Sequence, residues 1–293
     1  MTFVTFVTFI NQFISGATYG LVLFMVALGL ALIFGVMSIV NLAHGSLYMM
    51  GAFFGYFIWS AFKDMHFSFW LSVLLAGLAV AGAGLILEFL LRPFYRRGHT
   101  DQLLFTYAFT YIIADLVKMF WGGRYYTLPR PPGLEGSLTM AGIMLPTYNL
   151  FIIGVSLLIC VLLWFLLART KLGKIIRAAV FDREMVGILG IRLPWLFAFV
   201  FGVGAFVAGA AGLLAAPMGS IGVGMDAEII VPVFVVCIIG GMGSFLGALI
   251  ASLIVGEVYA FGILILPQMA MAFMFVVVIV ILIIRPQGLF GRS

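Results

Sequence analysis

The sequence predicts an all-α polytopic membrane protein, a bundle of eight or nine transmembrane helices with broken segments. Three observations carry this expectation. Charged residues make up only 9% of the 293 positions, against about 25% in a soluble domain. Apolar residues run on almost without interruption, as in Leu71–Leu87 and Met271–Ile284. The lysines and arginines gather in a few short stretches between such runs.

Each observation narrows the class. With 65% hydrophobic residues, the chain lacks the charge to cover a water-facing surface, so lipid must meet most of its exterior. Hydrocarbon offers no partner to unpaired backbone groups, which leaves only helices and closed barrels as spanning structures. Barrel strands alternate apolar and polar residues over about 10 positions. A spanning helix needs about 20 apolar residues in succession, and that is the pattern here. No soluble domain and no linker stand out, so residues 1–293 read as one transmembrane domain.

Taken in order, the apolar segments are 13–34, 39–62, 67–91, 102–121, 147–168, 193–216, 228–241, 243–262 and 264–284. The segment 228–241 is short for a full span, and the break around Gly35–Asn41 reads as a kink within the membrane or as a loop. Orientation follows from the basic residues, which favour cytoplasmic loops. The loop 92–101 holds Arg92, Arg96 and Arg97; the loop 169–192 holds Arg169, Lys171, Lys174, Arg177, Arg183 and Arg192; the tail holds Arg285 and Arg292. Only Lys63, Lys118, Arg124 and Arg130 fall on the other side. The net charge of +5 is thus a topology signal, and no nucleic-acid partner is expected. An even number of crossings must separate residues 192 and 285, while the side of the N-terminus stays open. That terminus lacks a charged leader, so no cleavable signal peptide is expected.

Other features have plain readings. Pro129, Pro131, Pro132, Gly133 and Gly136 make 122–146 a turn-rich external loop. Cys160 and Cys237 lie inside apolar runs and read as small core residues. His44, His66 and His99 lack metal-ligand spacing, and no phosphate-binding glycine loop is present, so neither metal nor cofactor is expected. Trp59, Trp70, Trp121 and Trp195 read as interface anchors. Gly202, Gly204, Gly209 and Gly212 suit close helix packing in lipid. Gly240-Gly241-Met242-Gly243-Ser244 should interrupt a helix, and such breaks occur where they face protein or a water-filled cavity. A faint echo links Gly45-Ser46 and Gly51-Ala52-Phe53 to Gly243-Ser244 and Gly247-Ala248-Leu249.

Polar groups inside spans are costly and are functional candidates. Asn41 and His44, near Ser38 and Ser46 at a helix break, are the first candidates for a solute path; hydrogen bonding between helices is the competing reading. Glu257 and Gln268 flank the last two spans. Asp115 with Lys118 reads as an end-of-helix pair, and Glu88 with Arg92 as an intrahelical ion pair.

The segment Arg169–Arg192 mixes six basic and two acidic residues with Ile175, Ile176, Phe181, Met185 and Ile188. It suits a short amphipathic helix along the cytoplasmic membrane surface or docked on another protein. Here the sequence resembles the permease subunits of high-affinity branched-chain amino acid ABC importers, over nearly its whole length. The matching stretches are Gly29–Gly35 leading into Asn41–Ser46, Arg177-Ala178 through Asp182 to Gly187–Ile191, Gly240–Ser244, and Arg285–Gly291. The resemblance implies an ABC-importer permease fold in a bacterial inner membrane. It also implies partners: a second homologous permease, two cytoplasmic ATPase subunits and a periplasmic solute-binding protein. Residues 174–190 then stand for a cytoplasmic coupling helix that meets the ATPase through Arg177, Ala178, Asp182, Arg183, Gly187 and Gly190. Phe181 and Glu184-Met185 occupy places where smaller residues are common. Candidates for the translocation path are Ser38, Asn41, His44, Ser46, Gly241, Gly243 and Ser244. The solute implied is a branched-chain amino acid or a similar small polar molecule, with no catalytic residue in this chain. The alternative is a secondary transporter or channel acting without an ATPase.

Overall fold

The computed structural model describes residues 3–63, 65, 67–95, 97–140 and 143–291. His66, set aside as a metal ligand, and the basic Arg96 and Arg292 lie outside the described residues. In chain order the long helices are α1 (Phe3–Met37), α2 (His44–Ala61), α3 (Ser68–Leu91), α4 (His99–Trp121) and α5 (Thr147–Arg169). Two short helices follow, α6 (Lys171–Phe181) and α7 (Arg183–Ile188). The chain ends with α8 (Leu193–Ala215), α9 (Met225–Gly240), α10 (Phe245–Ile265) and α11 (Ala270–Ile284). Each of the nine apolar segments thus forms a helix.

Among the described residues seven of these helices are long and apolar enough to cross a membrane, α11 together with the 3-10 turn Pro267–Met269 that leads into it. The two that are not are α2, whose 18 residues include His44, two serines and three glycines, and α9, with 16 residues. At about 1.5 Å per residue α9 reaches only about 24 Å, less than a hydrocarbon core of about 30 Å. The turn-rich loop holds one surprise, an antiparallel hairpin of β1 (Ser137–Met140) and β2 (Ile143–Pro146). Leu138 pairs across the two strands with Leu145, and Thr139 and Ile143 favour the extended backbone.

The chain forms two compact units. One takes Met1–Ala27, Pro129–Leu162 and Pro232–Ser293; the other takes Leu28–Leu128 and Leu163–Val231. In the second unit α2, α3 and α8 make the closest packing. With lipid on the outside there is little hydrophobic drive between helices, so backbone approach must supply the contact. Small residues allow it: Gly51 faces Gly209, Gly212 faces Tyr48 and Ala52, and Gly209 meets Val80. A methyl on Gly204 would stand 3.0 Å from the Gly29 carbonyl oxygen of α1. Gly202, by contrast, has ordinary contact distance to Leu85, 3.4 Å from the position a methyl would take.

In the first unit α1 and α10 pack in the same way, with Gly16 and Gly20 against Gly256, Ser252 and Glu257. Tyr19 stacks on Tyr259 with ring centroids 4.7 Å apart, and Phe24 meets Phe245 edge-on at 5.9 Å. Cys237 is a buried thiol whose Sγ donates to the Ala27 carbonyl at 3.5 Å, and Cys160 is a second buried thiol. On α4, α5 and α11 few side chains are buried inside the protein, which leaves their apolar faces to lipid hydrocarbon.

Charged groups follow the sequence reading at two places. Arg92 grips Glu88 with two nitrogens, Nη2 at 2.9 Å and Nε at 3.0 Å from the two carboxylate oxygens. Tyr95 donates to the same wholly buried carboxylate at 2.5 Å. Burial, and then this bond to Glu88, push the Tyr95 phenol well above its ordinary range. Asp115 and Lys118 form an exposed pair at 3.4 Å near the end of α4. Glu257 departs from the reading: it lies well inside α10 against Gly16 of α1, because α10 runs on to Ile265.

A test of the packing follows. Replacing Gly51 by Val should overpack the α2–α8 contact and cost about 1–3 kcal/mol, seen as a lower Tm of the detergent-purified protein. Gly82→Ala, in open space, should stay within about 0.5 kcal/mol of the unaltered chain.

Candidate functional site

The site begins where α1 stops. Ser38 takes a left-handed φ of 55°, a conformation that costs a non-glycine residue energy and persists only where neighbours enforce it. Its N–H still donates to Phe34 at 2.7 Å. Two side chains from other elements hold the break that follows. Thr106 of α4 donates to the Val40 carbonyl at 3.2 Å and accepts from the Leu42 N–H at 3.3 Å. Arg183 of α7 donates to the Met37 carbonyl at 2.7 Å. The break is thus a fixed turn, paid for with protein donors in place of water.

Asn41, His44 and Ser46 are wholly buried around this turn. His44 is the first residue of α2, and a methyl on Gly29 would stand 2.9 Å from its Nε2. The Ser46 hydroxyl donates to Asp226 Oδ2 at 3.1 Å. The Asn41 amide keeps Oδ1 and Nδ2 without a hydrogen-bond partner in a fully buried position.

The structure places Gly241, Gly243 and Ser244 in the other unit, in the break between α9 and α10. Gly241 and Gly243 take φ of 88° and 86°, which only glycine adopts freely. Ser244 caps α10, its Oγ accepting from the Gly247 N–H at 3.1 Å. The tail that shares the family pattern folds onto this break. Leu289 N–H donates to Ile239 at 2.7 Å and Phe290 N–H to Gly240 at 3.2 Å, satisfying carbonyls at the end of α9. Gly288, at φ 79°, makes the turn; a methyl there would stand 2.6 Å from the Ile238 carbonyl oxygen.

The segment expected as one amphipathic helix over 174–190 is two. It starts earlier, at Lys171, with Thr170 Oγ1 capping the Gly173 N–H at 3.0 Å. It breaks at Asp182, whose carboxylate caps the Met185 N–H at 2.9 Å and so starts α7. An aspartate competes with the helical backbone in this way and favours a cap over a helix interior. Arg177 donates to the Leu167 carbonyl at the end of α5. The Ala178 carbonyl accepts from the Asp182 N–H at 2.9 Å. Gly187 accepts from the Gly190 N–H at 3.1 Å, and Gly190, at φ 86°, ends α7. Ile176, Ala179 and Val186 are buried, while Phe181, Met185, Ile188 and Leu189 are exposed.

Sequence reasoning missed Thr106 and Asp226, and it missed the link from Arg183, a coupling candidate, to Met37. Thr106 reads as one more hydroxyl in an apolar helix. Asp226 precedes the segment set at 228 and so reads as loop. Nothing in the spacing links Arg183 to Met37, 146 positions away.

Residues 12–283 match the family model described as the branched-chain amino acid transport system / permease component. The chain is 26% identical to BraD, a high-affinity branched-chain amino acid transport system permease protein of Pseudomonas aeruginosa, over 97% of this chain and 96% of that one. It is equally 26% identical to LivH of Escherichia coli, which carries the same description, over 98% and 97% of the two chains. A probable branched-chain amino acid transport permease of Methanocaldococcus jannaschii is 26% identical over 81% of this chain and 76% of its own. No solved structure matches. With a helical membrane-spanning fold and a match across nearly its whole length, the chain belongs to the family of branched-chain amino acid transport permease components.

Proposed function

We propose that the chain is the permease subunit of an ABC importer that carries branched-chain amino acids, or similar small polar solutes, into the cytoplasm. Its setting is a bacterial inner membrane, crossed by α2 and α9 as well as by the seven longer helices. Its partners are a second homologous permease, two cytoplasmic ATPase subunits and a periplasmic solute-binding protein. Family membership and the descriptions of the relatives support this reading.

The observation that carries the mechanism is the bond from Arg183 to the Met37 carbonyl. It joins the proposed coupling segment to the residue beside Ser38, where the solute-path candidates begin. Closure of an ATPase dimer against Phe181, Met185, Ile188 and Leu189 would move α7. Arg183 would carry that displacement to the strained turn at Ser38 and to Asn41, His44 and Ser46. Arg177, Ala178, Asp182, Gly187 and Gly190 fix the shape of the segment through its caps and turns. The Gly241–Ser244 break, closed by the tail, is the second proposed element of the path. The driving contacts lie in the partner, so this chain needs no reacting groups of its own.

One observation favours a secondary transporter as a second reading: Glu257 Oε2 is buried without a hydrogen-bond partner inside α10. Energy dependence separates the two. Solute uptake by vesicles holding the native complex should stop when ATP hydrolysis is abolished in the partner; uptake that persists overturns the importer reading.

Two substitutions test the coupling segment. Phe181→Asp with Ile188→Asp should release the ATPase subunits when the chain is affinity-purified in mild detergent. Arg183→Ala should keep the ATPase bound yet lower ATP-driven uptake at least tenfold, because the link to Met37 is gone.

A further inference from the structure

Asp226 has a position that helix packing alone does not call for. Ile221 exchanges two backbone hydrogen bonds of 2.8 Å with Tyr126. Tyr126 packs among Phe53, Tyr56 and Phe57, in the later turns of α2. From there the chain descends beside α2 until Asp226 meets Ser46, in the first turn of that helix. Only then does α9 proceed. Its first-turn carboxylate therefore lies about two helical turns, or about 10 Å, below the Phe53 level. Gly45 makes this approach feasible: a methyl there would stand 2.6 Å from the Asp226 carbonyl oxygen and 3.0 Å from Ile230 Cβ.

The opposite sign stands beside it. No side chain caps α2, whose N-cap position is Ala43. A helix start exposes N–H groups and the positive end of the dipole, which together favour an anion. Next to this start lies Asn41, wholly buried with both ends of its amide unpartnered. A buried polar side chain without partners is rare and costly, and calls for an explanation. Asp226 and the Asn41 turn thus offer a negative and a positive recognition element at one place, both in the same compact unit.

We infer that this place binds the head group of an α-amino acid as a zwitterion, an inference that rests on the importer reading above. The Asn41 Nδ2 and the N–H groups of Gly45 and Ser46 receive the α-carboxylate. Asp226 receives the α-ammonium, with Ser46 holding one of its oxygens in place. An α-amino acid carries its two charges on groups bonded to the same carbon, so paired recognition compensates both where Asp226 is half-buried and Asn41 wholly buried. A neutral amide or urea would bring no cation to the half-buried Asp226, whose charge the bound solute would cover without pairing it. The site is thereby selective for zwitterions over neutral solutes, whatever protein delivers them.

The test uses the complex purified with its native partners and reconstituted in liposomes, with binding protein loaded with radiolabelled leucine. Asp226→Asn keeps an acceptor for Ser46 and removes only the charge; the initial rate of leucine uptake should fall at least tenfold, with Asp226→Glu retaining more than Asp226→Asn. Asn41→Asp keeps the size and sets a negative charge where the carboxylate belongs, and should also fall at least tenfold. Size-exclusion chromatography reports assembly, and if one variant fails to assemble the other decides. Uptake within twofold of the unaltered complex in an assembled variant overturns the inference, as does loss of assembly in both, which marks the residues as helix glue. An unaltered complex that carries a neutral amide and not leucine also overturns it. Leucine uptake that needs no ATP but is lost in Asp226→Asn would overturn the importer reading and leave the site standing.

Discussion

Backbone polar groups in a hydrocarbon solvent must find partners within the protein. That constraint shapes the two helix breaks of this molecule. Where α1 stops at Met37, the freed carbonyls of Met37 and Val40 are met by Arg183 and Thr106. Where α9 stops at Gly240, the amides of Leu289 and Phe290 meet the carbonyls of Ile239 and Gly240. Neither break is a flexible loop. Each is a defined turn with a named donor, drawn from an element remote in sequence.

The same solvent explains the glycines. Lipid tails are as apolar as leucine, so burying apolar surface between helices gains little; close backbone contact gains more. Gly51 against Gly209, Gly212 against Tyr48, and Gly16 and Gly20 against Gly256 all bring helix backbones together without a side chain between them. Rigid helix pairs of this kind suit a transporter, because a displacement applied at one end travels along the helix and is not absorbed by side chains.

Donors that satisfy a break also connect it to something. Arg183 belongs to a segment whose exposed Phe181, Met185, Ile188 and Leu189 face away from the packed core. In the proposed importer, the residue that satisfies Met37 is also the one that moves it. At the other end of the turn Ser46 and Asp226 join α2 to the start of α9. One hydrogen-bonded chain of elements thus runs from the proposed coupling segment, through the Ser38 turn, to the proposed amino-acid site.

Composition and hydrophobic runs by themselves determined the class of fold, since 9% charge leaves no other solvent for the surface than lipid. They also located nine apolar segments that form helices, seven of them spans among the described residues, the break at Gly240–Ser244 and the Glu88–Arg92 pair, each of which depends on residues close in sequence. Local chemistry that competes with hydrophobic pattern was less legible. The cap made by Asp182 splits a segment whose apolar spacing reads as one helix, and the hairpin at 137–146 hides in a loop rich in turn formers. Only the tertiary structure decided which distant groups meet: Thr106 with the turn after α1, Asp226 with Ser46, the tail with α9. Such contacts follow from where helices cross, and a helix crossing is set by shapes on two surfaces at once, which no single stretch of sequence contains.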